Sequence, residues 1–566
     1  MSFARILRMS ARHLRRARKG DFMHSDTNRY RRRWNIAVWV GALSLALGMA
    51  GCGIPEFRPK PELAALAAKT GQIETVQLTE QSKSPPVSIE EATKELTKEV
   101  TEPNQPRPMV KLSLPEVRAA ALANNLGLKV ELIEPSIAQQ DVDAERARFE
   151  SVFRASASYS RTESQGNGAV SSRAFEPSLV TPLQTGGTVT TSLPVADADG
   201  VSEAAASVSV IQSLLRDAGT QVNTYALQIA GYGKGSVDAF TKLQAINILA
   251  NADIAYWNLY AARIQLAVNR EQYKLAENQV RIARVKVAAG SAAKIEIVRA
   301  EAGLSSGLDG VISAETTVRD LERNLKRIMN RPDLPLNATV DINTVTDPNP
   351  KGLDLDEEAL VKAALENRME MANLEFQLAI RDLRIAQAKN SLLPRLDLEY
   401  SYAAGGQAGD VGGAFEDLFR DPAQDHRVGL SATIPLGNRE AEAQYRRARL
   451  AKVQTELSRQ QLEQEIRLEV YDAVYGLQQS WRRLLAAEQG IARAYRDYRA
   501  EQSEFQLGRR TSTEVLFAAS QLAGAQSRRL NAFVGYEITQ VWLARATGTL
   551  LGRGNVRLQP AALEGK

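Results

Sequence analysis

The chain has 566 residues, 71 Lys+Arg against 66 Asp+Glu, 44% hydrophobic residues, three His and one Cys. One Cys allows no intramolecular disulfide and no thiolate cluster, and the scarcity of His removes the usual general base and metal ligand. Two of the His, His13 and His24, fall in a leader segment, so triads and His-ligated zinc are nearly excluded and no cofactor or metal is expected.

Residues 1–51 carry 11 Lys+Arg against Asp21 and Asp26, which leaves 60 basic and 64 acidic residues in the remainder. The positive excess belongs to targeting, and no nucleic-acid partner is expected. Arg31-Arg32-Arg33 precedes the uncharged run Trp34 to Gly51, the layout of a secretory signal peptide over 1–51. A start at Met23 would give its basic region a more ordinary length. Cys52 follows Met49-Ala50-Gly51, an ending that resembles the lipobox of bacterial lipoproteins, with Met49 where Leu is usual. Lipidation of Cys52 is the expectation. Ordinary cleavage after Gly48-Met49-Ala50 and an uncleaved anchor of about 18 residues are the alternatives. Residues 52–109 hold Pro55, Pro59, Pro61, Pro85, Pro86, Pro103, Pro106 and Pro108 among Lys, Glu, Ser and Thr, which predicts a disordered tether.

From about residue 112 the chain repeats itself. Leu112-Ser113-Leu114-Pro115-Glu116 answers Leu353-Asp354-Leu355-Asp356-Glu357, and Leu122-Ala123-Asn124-Asn125 answers Leu365-Glu366-Asn367-Arg368. The repeats are expected over 110–335 and 353–552, with a linker at 336–352 and a tail at 553–566. In each, a helix of some 35 residues leads to strands, a very long helix, a glycine-marked tip and a returning helix. The long helices are predicted over 222–289 and 439–507, each on the order of 100 Å at 1.5 Å per residue. Their apolar stripes, such as Ile254, Trp257, Ala261, Ile264 and Val268, step by three and four, as a seam between packed helices requires.

Strands are predicted at 152–162, 206–214, 395–403 and 427–436. Phe153, Ala155, Ala157 and Tyr159 alternate with Arg154, Ser156, Ser158 and Ser160, and Leu396, Leu398, Tyr400 and Tyr402 with Asp397, Glu399 and Ser401. Apolar-out, polar-in alternation is what a transmembrane barrel strand needs, since lipid offers no hydrogen bonds. Four strands cannot close a barrel, so closure would require several chains. Thr188 to Leu193 is one more candidate, placed in an extracellular extension or as partner to an unrecognised strand. The Gly- and Asp-rich residues 404–426 are expected to form an outer loop.

The tips share a spacing. Gly290 precedes Glu296 and Gly508 precedes Glu514, each by six residues. Glycine permits the tight reversal, and the acid falls early in the returning helix, where negative charge is favoured.

These features together resemble the outer membrane efflux (TolC-like) family over about residues 112–552. The resemblance rests on the paired openings, Ser391-Leu392-Leu393-Pro394, Val428-Gly429-Leu430-Ser431 through Ile434-Pro435-Leu436, Val208 to Gly219, both tips, and the ending Ala546-Thr547-Gly548-Thr549-Leu550. It implies a mixed α/β membrane protein: a trimer with four strands per chain in a twelve-stranded outer-membrane β-barrel, continued into the periplasm as an α-helical coiled-coil barrel. Outer membrane lipids, a periplasmic adaptor and an inner-membrane transporter are the implied partners, and the implied role is the exit duct of a tripartite efflux pump or one-step secretion machine.

The resemblance further implies a periplasmic gate. Glu296 matches an acid bonding the neighbouring inner helix, Arg510 its arginine partner, and Phe505 stands where a tyrosine often joins. Glu514 matches the first acid of a constriction favouring cations, Phe517 replaces the second acid, and Arg299 replaces an acid in the other tip. Solvated helix-end charge is the alternative for Glu296, Glu514 and Arg510. A lipid-anchored coiled-coil adaptor without a pore is the second functional reading. No enzymatic constellation or phosphate-binding loop appears.

Overall fold

The computed structural model describes residues 108–164, 167–507 and 509–554. The signal segment, Cys52, nearly all of the tether, Gly508 and the tail from 555 lie outside the described residues.

In chain order the elements begin with β1 (Met109–Leu112), α1 (Leu114–Asn124), α2 (Leu126–Glu131) and α3 (Glu134–Ala147). The sheet strands β2 (Val152–Ser164), β3 (Asn167–Pro182), β4 (Gly187–Ser192), β5 (Val195–Ala198) and β6 (Val201–Ser213) follow. Then come α4 (Thr220–Asn223), the 64-residue α5 (Tyr225–Ala288), α6 (Ile295–Met329) and β7 (Asp341–Thr344). The second half runs α7 (Glu357–Asn367), α8 (Met369–Asn390), β8 (Arg395–Ala408), α9 (Val411–Arg420), β9 (Ala423–Thr433), the 68-residue α10 (Arg439–Gln506), α11 (Ser512–Ala546) and α12 (Leu550–Arg553).

The single opening helix expected in each half is broken. Asn125 turns the chain between α1 and α2: its side chain accepts from Leu128 N at 3.1 Å and donates to Ile328 O at 2.9 Å. Pro135 then opens α3, where its fixed φ and missing N–H are tolerated only in a first turn. In the second half Arg368 interrupts, extended between α7 and α8, its guanidinium held by Glu370 and Glu469. Helix starts follow their side chains. Glu116 accepts from Ser113 N at 2.7 Å and Ser113 Oγ at 2.9 Å, and Asp356 accepts from Ala359 N at 3.2 Å.

The linker region contributes structure. β7 pairs in parallel with β1, from Met109↔Asp341 to Leu112↔Thr344. Buried Glu322 of α6 accepts from Ile342 N at 2.9 Å, and buried Lys326 donates to Ala338 O and Val340 O. Tyr256, wholly buried in α5, donates to Leu112 O at 3.2 Å and accepts from Thr346 N at 2.8 Å. Around these bonds Trp257, Leu259, Leu325, Met329, Ile342 and Val534 form the largest apolar cluster, so α11 of the second half packs on α5 of the first. The same seam continues through Ile246, Leu249, Val541 and Ala544.

The remaining strands form one antiparallel sheet in the order β2-β3-β4-β6-β8-β9, with β5 between β3 and β6. The expected strands are present as β2, β6, β8 and β9, and the sheet holds three more. Residues 167–198 add β3, β4 and β5, so Thr188 to Leu193 does have the partner strand it required, β3. Residues 404–426 are likewise less of a loop than expected, since β8 runs to Ala408, α9 follows and β9 starts at Ala423. A Cβ at Gly406 would meet Leu418 N at 2.2 Å and Ala414 O at 2.3 Å, so this glycine is what lets the α9 backbone lie against the sheet.

Candidate functional site: an amphipathic sheet and two paired helical tips

The first candidate feature is the sheet. Register places Phe153 opposite Leu179, Ala157 opposite Phe175, Val189 opposite Val210, Val208 opposite Tyr402, and Tyr400 opposite Val428. Side chains of one parity share a face, so these residues form a continuous apolar surface across the sheet. The other face carries Arg154, Ser156 and Ser158 on β2, Glu176 and Ser178 on β3, Thr190 and Ser192 on β4, Ser207 and Ser209 on β6, and Glu399 and Ser401 on β8. In the single chain α9 covers this face around Ala204 and Gly406, and away from α9 it is open to solvent: Phe153 is 69% exposed, Val428 72% and Leu430 66%. No helix among the described residues is long and apolar enough to cross a membrane.

The second feature is the pair of tips. Gly290 has φ +72°, the left-handed conformation its place between α5 and α6 demands. The two tips lie side by side. Lys286 Nζ stands 3.8 Å from the centroid of the Phe505 ring, and a Cβ at Gly303 would lie 3.7 Å from Leu516 Cδ1.

At the second tip Glu514 closes a capping box, accepting from Thr511 N at 2.7 Å and Thr511 Oγ1 at 3.0 Å. Arg510 pairs with Glu514 at 2.7 Å and with Glu501 at 3.3 Å. The backbone N–H of Thr511, then the Arg510 and Thr511 side chains, hold the Glu514 carboxyl below the ordinary glutamate range. At the first tip Glu296 pairs with Arg299 one turn on, at 2.8 Å. Among the described residues no ion pair joins Glu296 to Arg510. Phe505 is buried beneath Lys286, whereas Phe517 is 66% exposed.

Sequence reasoning missed two contacts here. Arg299 stands where the resemblance led one to look for an acid, yet its partner is Glu296, a pairing that the i, i+3 spacing signals. Lys286 over Phe505 joins residues 219 apart, and no local pattern could have announced it.

Comparison with known proteins bears on both features. The family model for outer membrane efflux proteins matches residues 360–549. The chain is 23% identical over 387 residues to the outer membrane protein TolC of Escherichia coli K12, a match covering 66% of this chain and 75% of the relative. Its fold superposes on the outer membrane channel CmeC of Campylobacter jejuni with a TM-score of 0.61 at 17% identity, covering 77% of this chain and 86% of that one. The second half of the chain thus resembles outer membrane efflux proteins. The open-state outer membrane channel MtrE of Neisseria gonorrhoeae is also similar in fold, with a TM-score of 0.58 at 18% identity over 77% of this chain and 89% of that one. The mixed helix-and-sheet architecture is thus the TolC-like fold.

Proposed function

We propose that the chain is the outer-membrane exit duct of a tripartite export system, working as a passive conduit rather than a catalyst. The observation that carries this is the sheet: its one continuous apolar face suits lipid and its polar face a water-filled lumen, and it is open at β2 and β9 among the described residues. Three copies would close it into a barrel, the assembly in which neither edge is left unpaired. The α5/α6 and α10/α11 hairpins, on the order of 100 Å long, continue the barrel as a periplasmic tunnel.

In this reading the tips at Gly290 and Gly508 are the closed inner end. Glu296, Arg510, Glu514, Phe505 and Phe517 hold it shut, and a periplasmic adaptor and inner-membrane transporter open it by realigning the tip helices. Arg510 is the pivot, bound to both Glu501 on α10 and Glu514 on α11. Cys52, if lipidated, tethers the N-terminus to the same membrane.

Single-channel conductance of the purified protein in planar bilayers tests the proposal. A small conductance that rises in the Glu296→Ala, Arg510→Ala double variant supports a duct gated at its tips. Silence from both folded proteins overturns the duct and favours a lipid-anchored periplasmic adaptor.

A further inference from the structure

We infer that residues 167–198 are a membrane-spanning part of the wall, so that each chain contributes six strand columns rather than four and three copies of six make an eighteen-stranded barrel. This rests on the proposed outer-membrane placement.

Four observations support it. The first is length. β3 has 16 residues and β2, β6, β8 and β9 have 13, 13, 14 and 11, all long enough for the roughly 9–11 residues that a tilted membrane strand requires. β4 and β5 together cover 187–198 and act as one column, since both pair with β3 on one side and β6 on the other.

The second is the break in that column, which the sequence accommodates. Pro177 of β3 has no N–H, and its carbonyl accepts from Leu193 N at 3.0 Å, so the missing donor faces the interruption at Leu193-Pro194. Pro194 O in turn accepts from Ala205 N at 2.9 Å, keeping the column bonded to β6.

The third is amphipathicity. Phe175, Pro177 and Leu179 of β3, with Val189 of β4 and Val195 of β5, carry the apolar face from β2 to β6, with Thr191 between Leu179 and Val208 and the charged Arg173 and Asp197 beyond Phe175 and Val195. A hairpin standing free above the membrane would have no need of one apolar face.

The fourth is depth. The turn between β3 and β4 sits at the helix end of the sheet, not the far end. Gly219 N donates to Thr185 O at 2.9 Å, and Gln212 Nε2 donates to the same oxygen at 2.9 Å. Gly186, at φ +88°, packs so tightly that a Cβ would fall 2.0 Å from Asp217 O. The hairpin therefore runs the full height of the sheet and turns beside the start of α5. At equal strand tilt, eighteen strands give a barrel about half as wide again as twelve, which places the limit on cargo size in the helical tunnel and not at the outer mouth.

Cysteine accessibility in the full chain tests this, with the unsubstituted protein as blank because Cys52 is its sole thiol. A bulky impermeant maleimide should label Glu416→Cys in α9 on intact cells. It should leave Gln184→Cys, in the β3–β4 turn, unlabelled until the outer membrane is permeabilised. In purified protein reconstituted with brominated lipid, a fluorophore on Phe175→Cys should be quenched and one on Glu176→Cys should not. If Glu416→Cys is silent on intact cells, the outer-membrane placement itself fails. If Glu416→Cys and Gln184→Cys both label on intact cells, the hairpin lies outside the wall and the inference alone is overturned. Equal quenching at Phe175→Cys and Glu176→Cys, or none at either, overturns it as well.

Discussion

The ammonium of Lys286 stands 3.8 Å from the centroid of the Phe505 ring, joining the end of α5 to the end of α10 across the two tips. A cation over an aromatic face contributes about 0.5–1 kcal/mol at a partly exposed site. Lys286→Ala and Phe505→Ala should each raise open probability in bilayer recordings by roughly two- to fivefold. The double variant should add little to either single change, since each removes the same contact.

Arg510 has two carboxylate partners from two helices, Glu501 at 3.3 Å and Glu514 at 2.7 Å. Arg510→Ala should therefore raise conductance more than Glu501→Ala, and Arg510→Lys should restore it only partly, because an ammonium cannot serve both carboxylates as a planar fork does. Recordings of the three variants at one salt concentration check the order.

Acidification should loosen the same tip late rather than early. Glu514 titrates below the ordinary glutamate value when folded, so the stability it lends is present above the unfolded value and is lost as pH falls through the folded one. Open probability should hold steady as pH falls to the ordinary glutamate value and increase only below it. Glu514→Gln should abolish that acid response.

Tyr256→Phe keeps the ring but leaves Leu112 O and Thr346 N without the buried hydroxyl that joins them. The loss should be about 1–3 kcal/mol, seen as a lower midpoint in thermal melts of the purified protein.

Gly186→Ala should interfere with assembly more than with helix content. The new methyl meets Asp217 O, and the residue must also hold φ +88°. A less heat-resistant form of the proposed trimer on gels, with far-ultraviolet circular dichroism little changed, is the expected pattern.

Much of this architecture is legible in the sequence because it is periodic. The apolar stripe through Ile254 and Trp257 foretells α5, and the alternation Leu396, Leu398, Tyr400, Tyr402 foretells β8. β3 escapes because Glu176-Pro177 reads as a strand breaker, and only the register shows that the proline faces an interruption in its neighbour. β1 and β7 escape because four residues carry too little pattern, and their pairing spans more than two hundred residues. At the tips the pairs Glu296–Arg299 and Arg510–Glu514 follow the one-turn spacing, but the Lys286–Phe505 contact depends on how the two hairpins lie together, and local sequence does not encode that.

The sheet order leaves β2 and β9 at its margins among the described residues, beside a face rich in exposed aromatic and aliphatic side chains. A lone newly exported protomer would thus carry both a template for strand addition and a surface prone to coalesce with others. Under the proposed outer-membrane placement its biogenesis would be a race between self-association and insertion, and escort by a periplasmic holding chaperone and prompt delivery to the bilayer would become conditions for yield. Folding and oligomerisation would merge into one concentration-dependent event.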